Sequence, residues 1–438
     1  MTKTVNGFSK KTKEEKIAWL ASTYLENNPQ AISILKHYWN TDEKLQKLHD
    51  DFIENAISNY YLPFAIAPNF LINGKLYALP MVIEESSVVA AAGNAAKFWL
   101  NRGGFKTEVI STTKNGQIHL NYYGEPQLLK DFFNFIQPVL KASISDIEKN
   151  MRARKGGLIE LSLADKTEVL EGYYFIHATF ETLDAMGANF INSCLEKIAH
   201  VFETEAQQYE PFKNKNTFPE TVMSILSNYV PECLVRAEVS CHVDKLTTKH
   251  LDGKKFASKF VRAIAIAKAE TRRAVTHNKG IMNGIDAVII ATGNDFRAVE
   301  AGIHAYAARN NYYGSLTHAE VEDDIFKFRI EIPLAIGTVG GLTSLHPMTK
   351  LALEILKNPS AKELMEIIAV AGLAQNFAAI RSLITTGIQK GHMKMHLMNI
   401  LNQQEATEDE KNLAISHFSS KTISHSAVVE FINEIRSK

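Results

Sequence analysis

The run Thr276-His277-Asn278-Lys279-Gly280-Ile281-Met282-Asn283-Gly284-Ile285-Asp286 is followed nine residues later by Asp295. It gathers an amine, carboxylates, side-chain amides and two glycines, the groups a site needs to stabilise charge developing on a substrate oxygen. Taken alone, Lys279 reads as an exposed lysine beyond a helix end that carries Arg272 and Arg273, a place where cations are common. Its neighbours point the other way. Asn283 offers an amide, Asp295 a carboxylate, and the apolar residues between them imply burial, where a lone ammonium is costly. Lys279 is therefore expected to be buried and paired with acids.

Other residues could complete such a site. Glu84 and Glu85 are adjacent, so in extended chain only one of them can face it. Ser86 and Ser87 follow and could cap the small-residue helix of residues 88 to 100. His392, in Gly391-His392-Met393, borders a polar tail and could deliver a proton from a closing flap. None of the 23 glycines forms a GxG, and there is no GxxxxGK loop, which argues against a Rossmann dehydrogenase or a P-loop enzyme. A bound nucleotide would need another helix start. Asp184-Ala185-Met186-Gly187-Ala188-Asn189 is the candidate, because free amides and the helix dipole there favour a pyrophosphate; the structural alternative is a capped helix with a tight glycine turn.

Amphipathic helices are expected at 11–26 and 42–60, and a hairpin at 71–80 turns on Asn73-Gly74 and delivers the glutamate pair. Strands at 117–123, 157–163 and 172–182 alternate with helices at 125–149 and 188–205, the pattern of an inserted α+β domain with helices on one face of an antiparallel sheet. A helix over 254–275 would deliver the Lys279 motif from its C-terminal end. Periodicity leaves 284–309 open between buried helix and strand, and Gly337-Thr338-Val339-Gly340-Gly341 marks a turn or a close backbone approach.

The chain's 438 residues exceed one ordinary core. Forty-eight basic and 48 acidic residues give no net field, so nucleic acid is not an expected partner and any anionic ligand must be held locally. Cys194, Cys233 and Cys241 show no metal-ligand spacing and read as reduced thiols; no metal is expected. The N-terminus lacks an apolar signal core and no apolar run reaches the roughly 18 residues that span a bilayer, so the expectation is a cytoplasmic protein without a membrane partner.

Together these blocks, in order from Glu54-Asn55 through Pro80 to Ala92, Asp184 to Asn189, Ile225 to Asn228, Thr276 to Asp286, Ala291 to Asp295, Gly372 to Asn376 and Gly391 to Met393, resemble class II 3-hydroxy-3-methylglutaryl-coenzyme A (HMG-CoA) reductase, the soluble bacterial type. The resemblance implies two hydride transfers from NADPH or NADH, taking the coenzyme A thioester through a hemithioacetal and an aldehyde to mevalonate and free coenzyme A. It implies catalytic roles for Glu85, Lys279, Asp295 and His392, and substrate contacts from Ser87, Asn228, Arg273 and Asn283. Cofactor contacts are implied from Asp184, Met186, Gly187, Ala188 and Asn189. An acid at Glu148 would suit a ribose hydroxyl, and Arg152, Arg154 and Lys155 a 2′-phosphate.

The implied fold is α+β: a largely helical large domain (1–108 and 229–390), an inserted ferredoxin-like cofactor domain (109–228) and a mobile C-terminal helical flap (391–438). The implied assembly is a homodimer or a multiple of it, with active sites between subunits. The family's Glu-Glu-Pro-Ser reads Glu84-Glu85-Ser86-Ser87 here and its Glu-Asn-x-Ile-Gly reads Glu54-Asn55-Ala56-Ile57-Ser58, so the glutamate loop lacks a proline restraint. A coenzyme A thioester hydrolase or binding protein on the same scaffold, or a non-catalytic dimeric scaffold, would need no hydride donor.

Overall fold

The computed structural model describes residues 4–249, 251–385, 387, 389–419 and 421–437, with no side-chain description for 389–395. The chain forms two compact units, which divide after Pro63.

In the first unit, Thr12 and Glu15 form a reciprocal capping box that starts the helix Lys13–Tyr24. Asn28 and Pro29 start a second helix, Pro29–His37. The helix expected over 42–60 is capped by Asp42 but ends at Asp50. Beyond it the chain is held by long-range bonds instead: Trp39 Nε1 donates to the Ile57 carbonyl at 2.9 Å and Ser58 Oγ to the Leu35 carbonyl at 2.6 Å.

The second unit contains the strands β1 (Phe64–Ile72), β2 (Lys75–Val82), β3 (Lys106–Val109), β4 (Lys114–Asn121), β5 (Gly157–Asp165), β6 (Tyr173–Glu181), β7 (Glu220–Leu226), β8 (Leu234–His242), β9 (Thr317–Glu322) and β10 (Ile325–Pro333). β1 and β2 pair through Asn73 (φ 47°) and Gly74 (φ 81°), both left-handed, as a two-residue hairpin turn requires. A mixed-order antiparallel sheet, β3-β8-β10-β9, buries alternate residues under the helices Gly253–Ala269 and Ala361–Ile384, and the helix Thr271–Ala291 packs in turn on Ala361–Ile384 and on β2. Trp99, Phe256, Phe260, Phe326, Phe328 and Phe377 fill the core between them.

A second core belongs to residues 118–226. There the order strand, helices, two strands, helices, strand closes as β5-β6-β4-β7, which is the ferredoxin-like arrangement. The helix expected over 125–149 is two, Pro126–Ser143 and Ser145–Arg152, meeting at Ile144. A third, smaller core joins the helices Gln389–Gln403, Glu408–His417 and His425–Arg436.

Two further expectations need correction. The helix Ala361–Ile384 is by length and composition apolar enough to cross a bilayer, although Gln375 and Asn376 interrupt its apolar run; 67% of its most apolar window is buried in the protein, the position of a core helix. The helix over 254–275 stops at Ala269, because Glu270 takes an extended conformation and its carboxylate accepts from the Arg273 amide at 2.7 Å, starting a new helix at Thr271.

That new helix carries Asp286, whose carboxyl burial pushes up to about 8, with a hydrogen bond to Glu300 and its charge acting the same way. Between the ordinary carboxylate range and that value the folded chain keeps a proton that the unfolded chain has released, so stability declines as pH rises through the window. Asp286→Asn is expected to flatten the fall in unfolding midpoint between about pH 4 and pH 8, measured by urea denaturation across that range.

Candidate functional site

Residues 276–286 lie inside the helix Thr271–Ala291, not beyond a helix end. Arg273, Thr276, Gly280 and Asn283 recur at helical spacing and, with His277 and Lys279, line a cleft of about 1170 Å³. The opposite face is buried against the helix Ala361–Ile384. A methyl group on Gly284 would lie 2.5 Å from the Ala371 carbonyl oxygen, and one on Gly372 would lie 2.8 Å from Ile285, so both glycines allow close helix packing. Gly280 differs, because a methyl there would meet nothing within 4 Å.

Lys279 Nζ reaches Glu85 Oε2 at 2.6 Å. The expected burial is not found: the two side chains are 60% and 38% exposed, because the lysine extends across an open cleft rather than into the core. Glu85 lies in the loop between β2 and the helix Val88–Leu100, and its neighbour Glu84 is exposed, so one acid of the pair faces the site. Ser87 takes the N-cap position with φ 74°, but its side chain makes no capping bond; it lines the cleft instead.

The cleft is cationic. Arg102, Lys249, Arg273, Lys279 and Arg381 line it, with Glu85 as the acid. Burial pulls the Arg273 guanidinium below its usual range and does the same to Arg381, where the nearby Arg102 adds to the effect. Arg102 and Arg381 stand 3.7 and 5.3 Å from the Phe98 ring centre. Gln375 also lines the cleft, and its buried Oε1 has no hydrogen-bond partner among the described residues.

Two motif residues are pins. Burial, and secondarily Arg273, drives His277 down to about 3, so the ring stays neutral while its Nε2 meets Thr317 and Ser315 at 2.7 and 2.9 Å. Asn278 bridges the Gly314 carbonyl and the Leu316 amide at 2.9 and 3.1 Å.

Asp295 is elsewhere. It caps the helix Phe296–Ala307 through the Arg297 and Ala298 amides at 3.1 and 3.2 Å, and it binds the Arg297 guanidinium at 3.0 Å. Burial pushes its carboxyl up, but those bonds outweigh burial and hold it below the usual range. Among the described residues no hydrogen bond or ion pair joins it to Lys279. Asn228 likewise lies outside the Lys279 cleft. With Met186, Ala188, Ala298 and Lys114 it lines a crevice of about 20 Å³, room for about one water.

The Asp184–Asn189 turn abuts the glycine-rich loop. Thr338 donates to the Asp184 carbonyl at 2.8 Å, and a methyl on Gly337 would lie 2.3 Å from the Met186 nitrogen, which is the close backbone approach expected. Asn294 Oδ1 accepts from the Gly337 amide at 2.8 Å, tying the turn to the segment before Asp295. Gly187, at φ 92°, starts the helix Ala188–Gln208, whose first amides have no intrahelical partner. The Asp184 carboxylate is already engaged, accepting from the Ala361 amide at 2.7 Å.

Glu148 departs from the role expected of it. It is buried, and its oxygens accept from Arg152 Nε at 2.5 Å and from the Leu158 amide at 3.0 Å, fixing the turn into β5 rather than facing a ribose. Arg152 is more than half exposed. The side chain of His392 lies outside the described residues; its backbone belongs to the helix Gln389–Gln403. Lys114, Arg102, Lys249 and Arg381 were not singled out by sequence, because only tertiary contacts bring them to these sites; Gln375 entered only as part of the block Gly372 to Asn376, with no role assigned.

One group of residues thus gathers Glu85, Ser87, Arg273, Lys279 and Asn283, and another gathers Met186 and Ala188 of the Asp184–Asn189 turn with Asn228 and the helix that Asp295 caps. Fold and site define an α+β enzyme scaffold with two large cores and a smaller helical one. A family profile described as hydroxymethylglutaryl-coenzyme A reductase matches residues 13–397. The 3-hydroxy-3-methylglutaryl-coenzyme A reductase of Archaeoglobus fulgidus is 36% identical over 410 residues, covering 94% of this chain and 89% of that protein. A probable reductase from Borreliella burgdorferi is 37% identical over 358 residues, covering 81% and 79%. The solved reductase from Streptococcus pneumoniae superposes with a TM-score of 0.73 at 34% identity, covering 98% of this chain and 99% of that one. A class II structure from the same organism, bound to NADPH in open conformations, gives 0.72 at 34% identity over 87% and 99%. The chain belongs to the hydroxymethylglutaryl-coenzyme A reductase family.

The two helix glycines should respond oppositely to alanine. Gly284→Ala is expected to cost about 1–3 kcal/mol by overpacking against Ala371, and Gly280→Ala to gain up to about 1 kcal/mol from helix propensity, both read by urea denaturation.

Proposed function

We propose that this chain interconverts (S)-3-hydroxy-3-methylglutaryl-CoA and (R)-mevalonate plus coenzyme A, as a four-electron reductase consuming two NAD(P)H and two protons in the reductive direction. The observation that carries the reading is the division of the site: an amine–acid pair in a cationic cleft on one side, and on the other a helix-start turn whose Met186 and Ala188 line a crevice with Asn228 and with the helix that Asp295 caps. Each half lacks what the other holds. A homodimer that apposes the halves of two chains would offer Asp295 to the Lys279 of the second copy and complete both sites.

Lys279 would donate to the thioester carbonyl oxygen and stabilise its negative charge, an effect larger in a closed cleft than in water. Glu85, already bonded to Lys279, would carry the proton that this oxygen takes up. Arg273, Ser87 and Asn283 would hold the anionic acyl end, and Gln375 has a free acceptor for a substrate hydroxyl or amide. His392 would protonate the departing thiolate from the flap. The remaining cleft cations, Arg102, Lys249 and Arg381, suit a ligand with several negative charges.

The cofactor would bind at the helix start at Gly187, where the left-handed glycine packs on Thr182 and the first amides of the helix, at Ala188 and Asn189, have no intrahelical partner. Bound there, NAD(P)H supplies one hydride to each of the two reductive steps. With Glu148 buried and Arg152 more than half exposed, the adjacent turn favours a 2′-phosphate, hence NADPH over NADH. Residues 109–228 would form the cofactor domain, 1–108 and 229–390 the large domain, and 391–438 a mobile flap, in a cytoplasmic enzyme without membrane or nucleic-acid partners.

Mixing the protein with 3-hydroxy-3-methylglutaryl-CoA and NADPH should cause loss of nicotinamide absorbance; thiol release with no oxidation of either cofactor would overturn the reading in favour of a hydrolase. kcat/KM is expected to be higher with NADPH than with NADH. Lys279→Ala should lower kcat by at least about 10²-fold while the far-ultraviolet spectrum stays unchanged.

A further inference from the structure

Lys114 opens β4 with its side chain turned into the protein, where the residue is 4% exposed. Its ammonium donates to Thr182 Oγ1 at 2.5 Å and to the Ala185 carbonyl oxygen at 2.8 Å. Thr182, itself 1% exposed, donates from the same hydroxyl to Ala185 at 2.7 Å, so the three groups close a triangle beneath the Asp184–Asn189 turn. Gly187 stands directly on it: a methyl there would come within 2.6 Å of Thr182 Cγ2. Burial pulls the ammonium below its usual range, and Cys233, Glu181 and Asp184 act against that pull. A buried cation of this kind is costly unless its donors are used, and here two of them fix one carbonyl of the turn and the hydroxyl that supports it.

We propose that Lys114 is a positioning residue of the nicotinamide dinucleotide site, acting through Thr182 and Ala185 to hold the start of the helix Ala188–Gln208 toward the cofactor. The proposal rests on the cofactor reading of that turn. Lys114 also lines the crevice beside Met186, Ala188 and Asn228, so the geometry it sets reaches the second half of the site.

The test is cofactor binding to the full-length protein by nicotinamide fluorescence, together with steady-state kinetics, for the wild type, Lys114→Met, Thr182→Val and the double variant. Lys114→Met is expected to raise the Kd and KM for NADPH about tenfold while kcat at saturating cofactor and KM for the acyl thioester change less than about twofold. Thr182→Val should shift NADPH affinity in the same direction, and the double variant should be no weaker than the poorer single variant, because both act through one triangle. Variants that bind NADPH as the wild type does would overturn the proposal, as would a fall in kcat with KM unchanged, the sign of a smaller folded fraction. If Lys114→Met does not fold, Thr182→Val, which removes one hydroxyl, carries the same decision. A wild type that binds neither NADPH nor NADH would sink the cofactor reading of the turn itself, a result distinguishable from the first two.

Discussion

The catalytic helix owes its position to the close approach of Thr271–Ala291 and Ala361–Ile384 at Gly284 and Gly372. Where a Cβ would be, each glycine has a backbone oxygen or a side chain of the other helix. With the two axes that close, the buried His277 meets Asn376 across the interface, and Gln375 faces the same cleft as Asn283. The Lys279 side of the helix is then turned outward by default. Packing decides where the amine points, and the acid that meets it arrives from a separate hairpin, β1–β2.

Electrostatics follows from that placement. A chain with no net charge concentrates five cations around a cleft that holds one acid, Glu85. The Lys279–Glu85 pair is solvent-accessible, and pairs of that kind contribute little to stability. Its value is chemical, since an acid already bonded to the amine fixes the amine's direction before a substrate enters. Asp295 spends its acceptors on a helix start and on Arg297. The second half of the site is in turn tied together by backbone, through Asn294, Gly337 and Met186.

Local chemistry was legible in the sequence where one or two residues determine it. Asn73-Gly74 specified the hairpin turn, alternation specified an inserted antiparallel sheet backed by helices, and the adjacency of Glu84 and Glu85 already required that one face away; the ferredoxin-like order of that sheet came from the family resemblance. Errors arose where a distant group decided the outcome. Periodicity ran through Glu270, whose carboxylate ends one helix and starts the next. Apolar neighbours suggested a buried Lys279, although they belong to the opposite face of its helix. Ser87 has the right residue type for a cap but a left-handed backbone that turns its hydroxyl away from the capping bond. Lys114 carried no local signal at all, because its partners are about 70 positions away in sequence.

The three cysteines are free and buried in the two larger cores. Burial pushes the Cys194 thiol up to about 12 and Cys233 up to about 11, and raises Cys241 in the same way. Thiols so protonated react slowly with electrophiles and peroxides while the fold is closed. Cys194 lies in one core and Cys233 and Cys241 in the other, so the rate at which each acquires an alkyl label reports the opening of its own core.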